Sequence, residues 1–411
     1  MYKTIKNSTG FKVTILSVNT LLTLSIGAVE AAVAGNSVKE GTHKQVSTLT
    51  EALRQGTPTL NFRYRFENVD QNGIANDANA STLRTRLSYQ TLPFQGFSGL
   101  VEMDNVTEIH SGDYNDTFNG QTSSPVVADP TYTEVNQAYL DFNTTDTLFR
   151  FGRQRVNLDN QRFIGGVGWR QNEQTYDAFS IINQTIPDTT VLISNVTNVN
   201  TILGTNVNGN DHQLIHINNK SLPALNISAY GYLLNDFSDT YGIRMSNGKA
   251  GTLGGLLYTL EYAHQKADSP VANKAEYMLM EAGINLSGIT AKLSYEVLGS
   301  DSSNYGFQTP LATKHAFSGW ADKFLTTPDS GLVDRYLTLS TAQFGPQLKL
   351  VYHDFESDDT GTDLGDEIDF SIGKKIDDNY SMLLKFARYR AGDDNSIKDT
   401  DKLWFMMGAS F

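Results

Sequence analysis

Short stretches in which apolar and polar residues alternate one by one recur about eighteen times along the chain. The last of them, Leu403-Trp404-Phe405-Met406-Met407-Gly408-Ala409-Ser410-Phe411, ends on an aromatic residue. Alternation with period two puts successive side chains on opposite faces of a strand. A strand crossing an outer membrane needs about 9 to 11 tilted residues, every second one toward lipid and the others toward a lumen. The chain therefore reads as an all-β transmembrane antiparallel β-barrel, a pore.

What the composition lacks narrows the reading further. The 411 residues are 39% hydrophobic, with a mean hydropathy of −0.33. Beyond the amino terminus no apolar run reaches the roughly 18 residues of a spanning helix, which excludes a helical membrane protein. The 34 Gly, 19 Tyr and 21 Phe suit tight turns, strands and interfacial aromatic girdles. Without cysteine there is neither a disulfide frame nor a thiolate nucleophile or metal ligand. No nucleotide-binding glycine loop or redox motif is present, so no cofactor is expected. The formal charge of −13 makes a nucleic-acid partner a poor fit.

Residues 1–34 have the order of a secretory signal. Lys3, Lys6 and Lys12 precede an apolar stretch, interrupted at Asn19, that runs to Ile26, and Ala32-Val33-Ala34 offers small residues for cleavage near Ala34. Removing this segment, whose charges sum to +2, leaves −15. Export combined with β-alternation points to the outer membrane of a Gram-negative cell. Residues 35–58 read as a periplasmic lead-in with a short helix over Val46 to Arg54, closed by Gly56. That helix either caps the periplasmic mouth or simply leads into the barrel, which is expected over 59–411.

From Thr59 onward short links alternate with long ones. Short links fall at 92–96, 143–146, 185–188, 285–288 and 344–346, and longer ones at 109–131, 158–174, 199–210, 299–332, 356–365 and 391–400. Outer-membrane barrels have short periplasmic turns and longer extracellular loops. The asymmetry therefore sets the orientation, with both chain ends periplasmic and an even strand count. A β-sandwich or propeller has no need of it.

Reading the faces separately shows what the lumen holds. Leu60, Phe62, Tyr64 and Phe66 form an apolar side, leaving Asn61, Arg63, Arg65 and Glu67 inside. The next strands turn Arg84 and Arg86, then Glu102 and Asp104, inward, and 289–297 does the same with Lys292 and Glu296. Arg244, Glu261, Lys349, Glu367, Asp369 and Lys385 follow. Lumen charges of mixed sign either pair across strands and fill the wall or line a path for anions, since guanidinium forks match carboxylates. Arg63, Arg65, Arg84 and Arg86 point to a path, because four cations on adjacent strands cannot neutralise one another. Their nearest expected counterions are Glu67, Glu102 and Asp104.

Two segments break the alternation. Residues 151–172 concentrate Arg153, Arg155, Arg162 and Arg170 with several glycines and Trp169. Folded inward, these arginines would line a constriction, with Trp169 available to stack on a sugar ring. Residues 305–328 are too aromatic for a loose surface loop. Phe307, Phe317, Trp320 and Phe324 read as loop core, with His315, Asp322 and Lys323 as the polar members that could face a solute.

Thr82-Leu83-Arg84-Thr85-Arg86-Leu87, Gly152-Arg153-Gln154-Arg155, Trp169-Arg170-Gln171-Asn172 with Tyr176-Asp177-Ala178, Phe307-Gln308-Thr309-Pro310-Leu311 and Trp320-Ala321-Asp322-Lys323-Phe324 carry a likeness. Together they resemble the alginate export family of outer-membrane porins. The resemblance implies an 18-stranded monomeric barrel, surrounded by outer-membrane lipid and lipopolysaccharide. It also implies an arginine-rich constriction passing a polyanionic uronate polymer, a role that would fall to the arginines at 63, 65, 84, 86, 153, 155, 162 and 170. The function expected is passive, selective diffusion of an anionic saccharide or similar solute; uptake of neutral oligosaccharides or other small solutes is the alternative.

An outer-membrane hydrolase would need a nucleophile beside His and a carboxylate. His212 and His216 share a strand face, and His264 lies near Glu261, but neither spacing makes a metal or catalytic site. The acidic stretch 356–363 does not match an EF-hand loop and reads as a solvated surface loop near lipopolysaccharide. The chain is expected not to be an enzyme, and a structural or adhesive barrel is the remaining minor reading.

Overall fold

The computed structural model describes residues 46–110, 112–248, 254–268, 273–394 and 396–411, with 208–210 as backbone only. The expected signal segment and residues 35–45 lie outside the described residues. Eighteen strands follow in chain order: β1 Thr57–Gln71, β2 Ala78–Gln90, β3 Phe97–His110, β4 Thr133–Asn143, β5 Thr147–Gln154, β6 Thr175–Asn183, β7 Thr189–Asn200, β8 Asn206–Leu222 and β9 Leu225–Leu234. They continue as β10 Ser238–Asn247, β11 Leu256–Ala267, β12 Lys274–Leu286, β13 Ile289–Leu298, β14 Leu332–Thr341, β15 Gln347–Glu356, β16 Asp363–Lys375, β17 Tyr380–Arg390 and β18 Thr400–Ser410. Each pairs antiparallel with the next, and β1 pairs with β18 from Asn61 opposite Ser410 to Gln71 opposite Thr400. Reciprocal bonds between Leu60 and Phe411 (2.9 and 2.8 Å) finish the seam at the periplasmic end. Closure leaves no free edge, the condition for strands to cross lipid. Among the described residues no helix is long and apolar enough to span a membrane.

The period of two sorts the wall as the sequence indicates. Outward side chains such as Phe151 (68% exposed) and Leu293 (65%) stand free, while Arg84 (5%) and Glu296 (2%) point in and are covered. At the periplasmic end the turns are tight: Ser287 and Gly288, at φ 49 and 79, make the left-handed two-residue link between β12 and β13 that suits strand twist. The link expected at 199–210 is not long. There β7 and β8 continue as a hairpin, pairing Asn200 with Asn206. A polar Asn-rich run above the apolar band reads as loop by composition, yet water on both faces lets it stay paired.

Before β1 the chain forms a one-turn helix, α1, at Leu49–Arg54, capped by Thr48, whose side chain accepts from Glu51 N. It sits on the rim of the barrel: Tyr89 Oη donates to Leu53 O (2.6 Å), and Leu92 N donates to Ala52 O (3.2 Å). Only Ala52 of its apolar residues is buried, while Leu49 and Leu53 remain exposed.

The long extracellular links 155–174 and 299–331 turn into the barrel. Side chains of 155–174 reach β3 through Arg155, β8 and β9 through Asp159, β13 through Arg162 and β1 through Arg170. A segment that touches such widely separated walls must cross the interior. The 299–331 link meets it there: Gly165 N donates to Leu311 O (2.9 Å) and Thr313 N to Gln161 O (3.0 Å). The core of the molecule is thus inside the lumen, where Phe163, Ile164 and Phe307 pack against Tyr230, Tyr232 and Tyr277 of the wall. Phe307, Trp320 and Phe324 are buried as loop core, as their pattern suggests.

Burial along the inward faces locates this plug. On β1, Asn61 and Arg63 are half-buried while Arg65 (1%) and Glu67 (0%), nearer the extracellular end, are sealed. The same step occurs on β13 between Lys292 and Glu296 and on β15 between Lys349 and Val351. The periplasmic part of the lumen is therefore an open vestibule, and the extracellular part is filled.

Candidate functional site: the charged lumen

Most of the arginines that the sequence points to are not bare. Arg86 forks onto Asp104 (Nε to Oδ1 2.7 Å, Nη2 to Oδ2 2.5 Å) and reaches Glu173 at 2.9 Å. Arg155 binds both Glu102 and Glu173, and Arg84 meets Asn61 Oδ1 at 3.0 Å and Glu173 at 3.5 Å. Three arginines thus face three carboxylates, and one of these, Glu173, comes from the inward loop. Arg65 pairs with Asp129 of the 111–132 link at 3.0 Å. Arg170 lies between Glu67 (3.1 Å) and Asp322 (3.2 Å). Arg162 pairs with Glu296 at 2.7 Å and Lys292 with Glu281 at 2.8 Å.

The counterions of the β1 and β2 arginines therefore extend beyond the expected Glu67, Glu102 and Asp104. Glu173 and Asp129, which supply the balance, lie far along the chain. Burial by itself would raise the Glu173 carboxyl, but Arg155, Arg86 and Arg84 hold it well below the usual carboxylate range. The same contest, won by Arg65 and Arg170 against burial, lowers Asp129.

Two further expectations change. Arg153 shares the outward face of β5 with Phe151 and pairs with Asp177 of β6 at 2.8 Å, so it is placed outside the lumen. Trp169 does line the interior, but no face is left for a sugar. The His315 ring stacks on it (4.4 Å, 7°), and the Arg65 guanidinium and Lys385 ammonium lie 4.1 and 4.2 Å from its ring centre.

Against these pairs, Arg63 stands apart. Its donors go to Gln171 Oε1 (3.0 Å), Gly168 O (2.8 Å) and the Arg170 carbonyl, with no carboxylate among them. Lys314 and Lys349 likewise have no carboxylate at ion-pair distance among the described residues; each is half-buried. Arg63 and Lys349 lie where the inward faces of β1 and β15 are half-buried, on the periplasmic side of the sealed stretch, and neither has a carboxylate at ion-pair distance among the described residues.

Among the described residues, neither His216 nor His353 is placed as in a hydrolytic site. Asp159 lies between His216 Nε2 (2.9 Å) and Ser228 Oγ (2.6 Å), so the serine donates to the acid and not to the imidazole. A serine so arranged has no imidazole bonded to it to act as the general base of a Ser–His pair. His353 lies between Asp334 (2.9 Å) and Asp369 (3.7 Å) with no hydroxyl bonded to it. Among the described residues no group of three or more His, Asp or Glu is placed to hold a metal ion.

The tip of the 299–331 link is held by its backbone. Trp320 N donates to Asp369 Oδ2 (3.2 Å) and Ala321 N to Glu367 Oε1 (2.7 Å). Gly319 makes that approach feasible: its φ is +81, and a Cβ there would stand 2.3 Å from Glu367 Oε2. Gly319→Ala is expected to destabilise the docked tip by at least about 1 kcal/mol, read as faster proteolytic cleavage within 299–331 without loss of strand content by circular dichroism.

A family model described as alginate export matches from the start of β1 to the first residues of β7. Residues 56–193 match the alginate export family. This stretch contains Arg63, Arg84, Arg86, Arg155, Arg162 and Arg170, together with Glu173, the loop-borne counterion of Arg84, Arg86 and Arg155. Beyond it, the fold carries the comparison. The barrel superposes on OccK9 (OpdG) of Pseudomonas aeruginosa with TM-score 0.70 and 11% identity, covering 88% of this chain and 99% of that one. OccD3 (OpdP) of the same organism gives 0.68 at 15% identity, over 90% and 94%. OccAB1 of Acinetobacter baumannii gives 0.69 at 13% identity, over 87% and 97%. No curated protein matches significantly in sequence. The chain thus has the fold of the outer-membrane porins that it superposes on, a closed 18-stranded antiparallel β-barrel.

Proposed function

We propose that the mature chain, after cleavage near Ala34, is a monomeric outer-membrane porin through which an anionic saccharide or similar small organic anion diffuses passively. The observation that carries this reading lies in two cations, Arg63 and Lys349, on the periplasmic side of the sealed stretch. Arg63 is tied only to neutral oxygens, and Lys349 has no carboxylate at ion-pair distance among the described residues. A carboxylate entering the vestibule meets cations that no carboxylate already pairs with. Closure of the sheet on itself leaves no strand edge through which a second copy could add to the wall. Lipopolysaccharide as a neighbour is supported by the charged pairs at the extracellular end of the outer face, such as Arg388 with Asp401 and Arg335 with Asp354.

The one-to-one matching of Arg84, Arg86 and Arg155 with Glu102, Asp104 and Glu173 favours a second reading, a path for neutral oligosaccharides. Planar bilayers separate the two. The double substitution Arg63→Gln with Lys349→Gln is expected to lower the anion-to-cation permeability ratio by about half or more, and uronate oligomers are expected to block single-channel current better than neutral ones. Unchanged reversal potential, with block by neutral sugars alone, would favour the second reading.

A further inference from the structure

The chain has three tryptophans, and all three surround one ammonium. Lys385 Nζ, on the inward face of β17, lies 3.6 Å from the ring centre of Trp320, 4.2 Å from Trp169 and 5.3 Å from Trp404. Trp320 belongs to the 299–331 link, Trp169 to the 155–174 link and Trp404 to β18, so the box exists only while both loops are docked on the wall. Its fourth side is His315, whose Nε2 is 2.7 Å from Lys385 Nζ and whose Nδ1 is 2.7 Å from Asp322 Oδ1.

These contacts set the tautomer of the neutral imidazole. With Lys385 as an ammonium, which has donors only, Lys385 donates and His315 Nε2 accepts; the ring proton is then on Nδ1, donated to Asp322. A second proton would have to sit on Nε2, directly against the Lys385 ammonium. The charged groups around this point come from every packed element. Asp322 is also held by Lys402 of β18 (2.6 Å) and Arg170 of the 155–174 link (3.2 Å). Arg170 in turn holds Glu67 of β1 and stands 3.8 Å from Asp129, Arg65 lies over Trp169, Glu367 and Asp369 of β16 accept from Ala321 N and Trp320 N, and Lys349 of β15 lies 5.4 Å from the Trp320 ring centre. Asp322 already answers three cationic or hydrogen-bonding partners, so it cannot absorb another charge on His315.

We propose that His315, seated between Asp322 and the tryptophan-boxed Lys385, is a proton-operated latch that holds the 299–331 link in the lumen and releases it on acidification. Burial keeps the docked imidazole well below its ordinary range, against the pull of Asp322. A base depressed in the docked state takes up protons on release. Docking is therefore at full strength above the free value near 6.5 and weakens as pH falls below it, by up to tenfold in the docked-to-released ratio per pH unit. Released, the link no longer fills the extracellular half of an 18-stranded barrel.

The latch is tested on the refolded full-length mature chain without any solute, so its failure and a failure of the anion reading are separate results. Single-channel conductance in planar bilayers and tryptophan emission in detergent are followed from pH 8 to 5, with heat-modifiable gel mobility confirming a closed barrel. The wild-type protein is expected to show conductance rising and emission shifting together below about pH 6.5. His315→Gln, which keeps polar contacts but cannot titrate, is expected to flatten both curves. Lys385→Met, which removes the opposing charge, is expected to weaken both responses at least severalfold. Flat wild-type curves, or a response of wild-type size in either variant, overturn the proposal.

Discussion

Glu173→Gln is expected to destabilise the folded barrel by about 3–5 kcal/mol, the cost of leaving buried charges without their partner. The carboxylate is 5% exposed and is shared by Arg84, Arg86 and Arg155. Glutamine keeps its shape and one acceptor but not its charge, so three guanidinium groups are left with Glu102 and Asp104 alone. Denaturant titration in detergent, followed by circular dichroism, reads the loss. The same substitution adds positive charge to the interior, so the reversal potential moves toward anions. A variant as stable as the parent would mean that water, and not Glu173, screens these arginines. The pH dependence has a definite sign. The folded carboxyl is held well below its unfolded value near 4.3, so its contribution is whole above that value and is lost only as pH falls further, through the folded one. Between pH 8 and 5 Glu173 stays silent, and any change there belongs to another group.

The wall of this protein is legible in its sequence because membrane strands obey a strict local rule. Phe62 with Arg63, or Leu83 with Arg84, already states which side is lipid and which is lumen. Counting such pairs gives the closed sheet, and β1 with β18 completes it at Leu60 and Phe411. Arg153 obeys the same rule: two residues after Phe151 it must share the lipid-side face, and treating the whole of 151–172 as loop obscured that. The interior is less legible because its contacts are not local. Glu173 is 87 positions from Arg86, and Asp129 is 64 from Arg65. No periodicity links such residues; only the inward turn of the loops brings them together. Composition hinted at that turn. A loop carrying Phe307, Trp320 and Phe324 cannot leave them all in water, and the interior is where they are covered. The tryptophan box needs three elements at once, so neither Trp169 nor Lys385 announces it alone. Trp169 could look like a free sugar platform only while its neighbours were unknown.

Excising the inward link is expected to produce the largest change in transport. An 18-stranded barrel is wide enough to leave an aqueous channel when nothing occupies it. Here the occupant enters through a narrow neck. Phe307 N donates to Gly299 O (2.8 Å), Gln308 Nε2 donates to Thr327 O (2.9 Å), and Gly331 N donates to Pro328 O (2.8 Å). Residues 309–326 can therefore be replaced by a short glycine bridge from Gln308 to Thr327 without asking β13 and β14 to move apart. The deletion takes away His315, Trp320, Asp322 and Phe324 and so uncovers Lys385, Lys402, Glu367 and Asp369 on the wall. Single-channel conductance should rise severalfold, since the lumen opens over β14 to β18, the sector that this link seals. The wall itself should survive, because its strand pairs are continuous around the circle and none of them involves 309–326. Strand content by circular dichroism and resistance to unfolding in detergent should stay near the parent's, even as the emission of the remaining Trp169 and Trp404 changes. Arg162 and Arg170 lose contacts to the excised segment, at Ser318 and Asp322, but keep Glu296 and Glu67. The 155–174 link is therefore expected to stay docked and to preserve discrimination between anions and cations. If conductance does not rise, the constriction lies in the 155–174 link alone, and Arg63 with Glu173 becomes the sole control of passage.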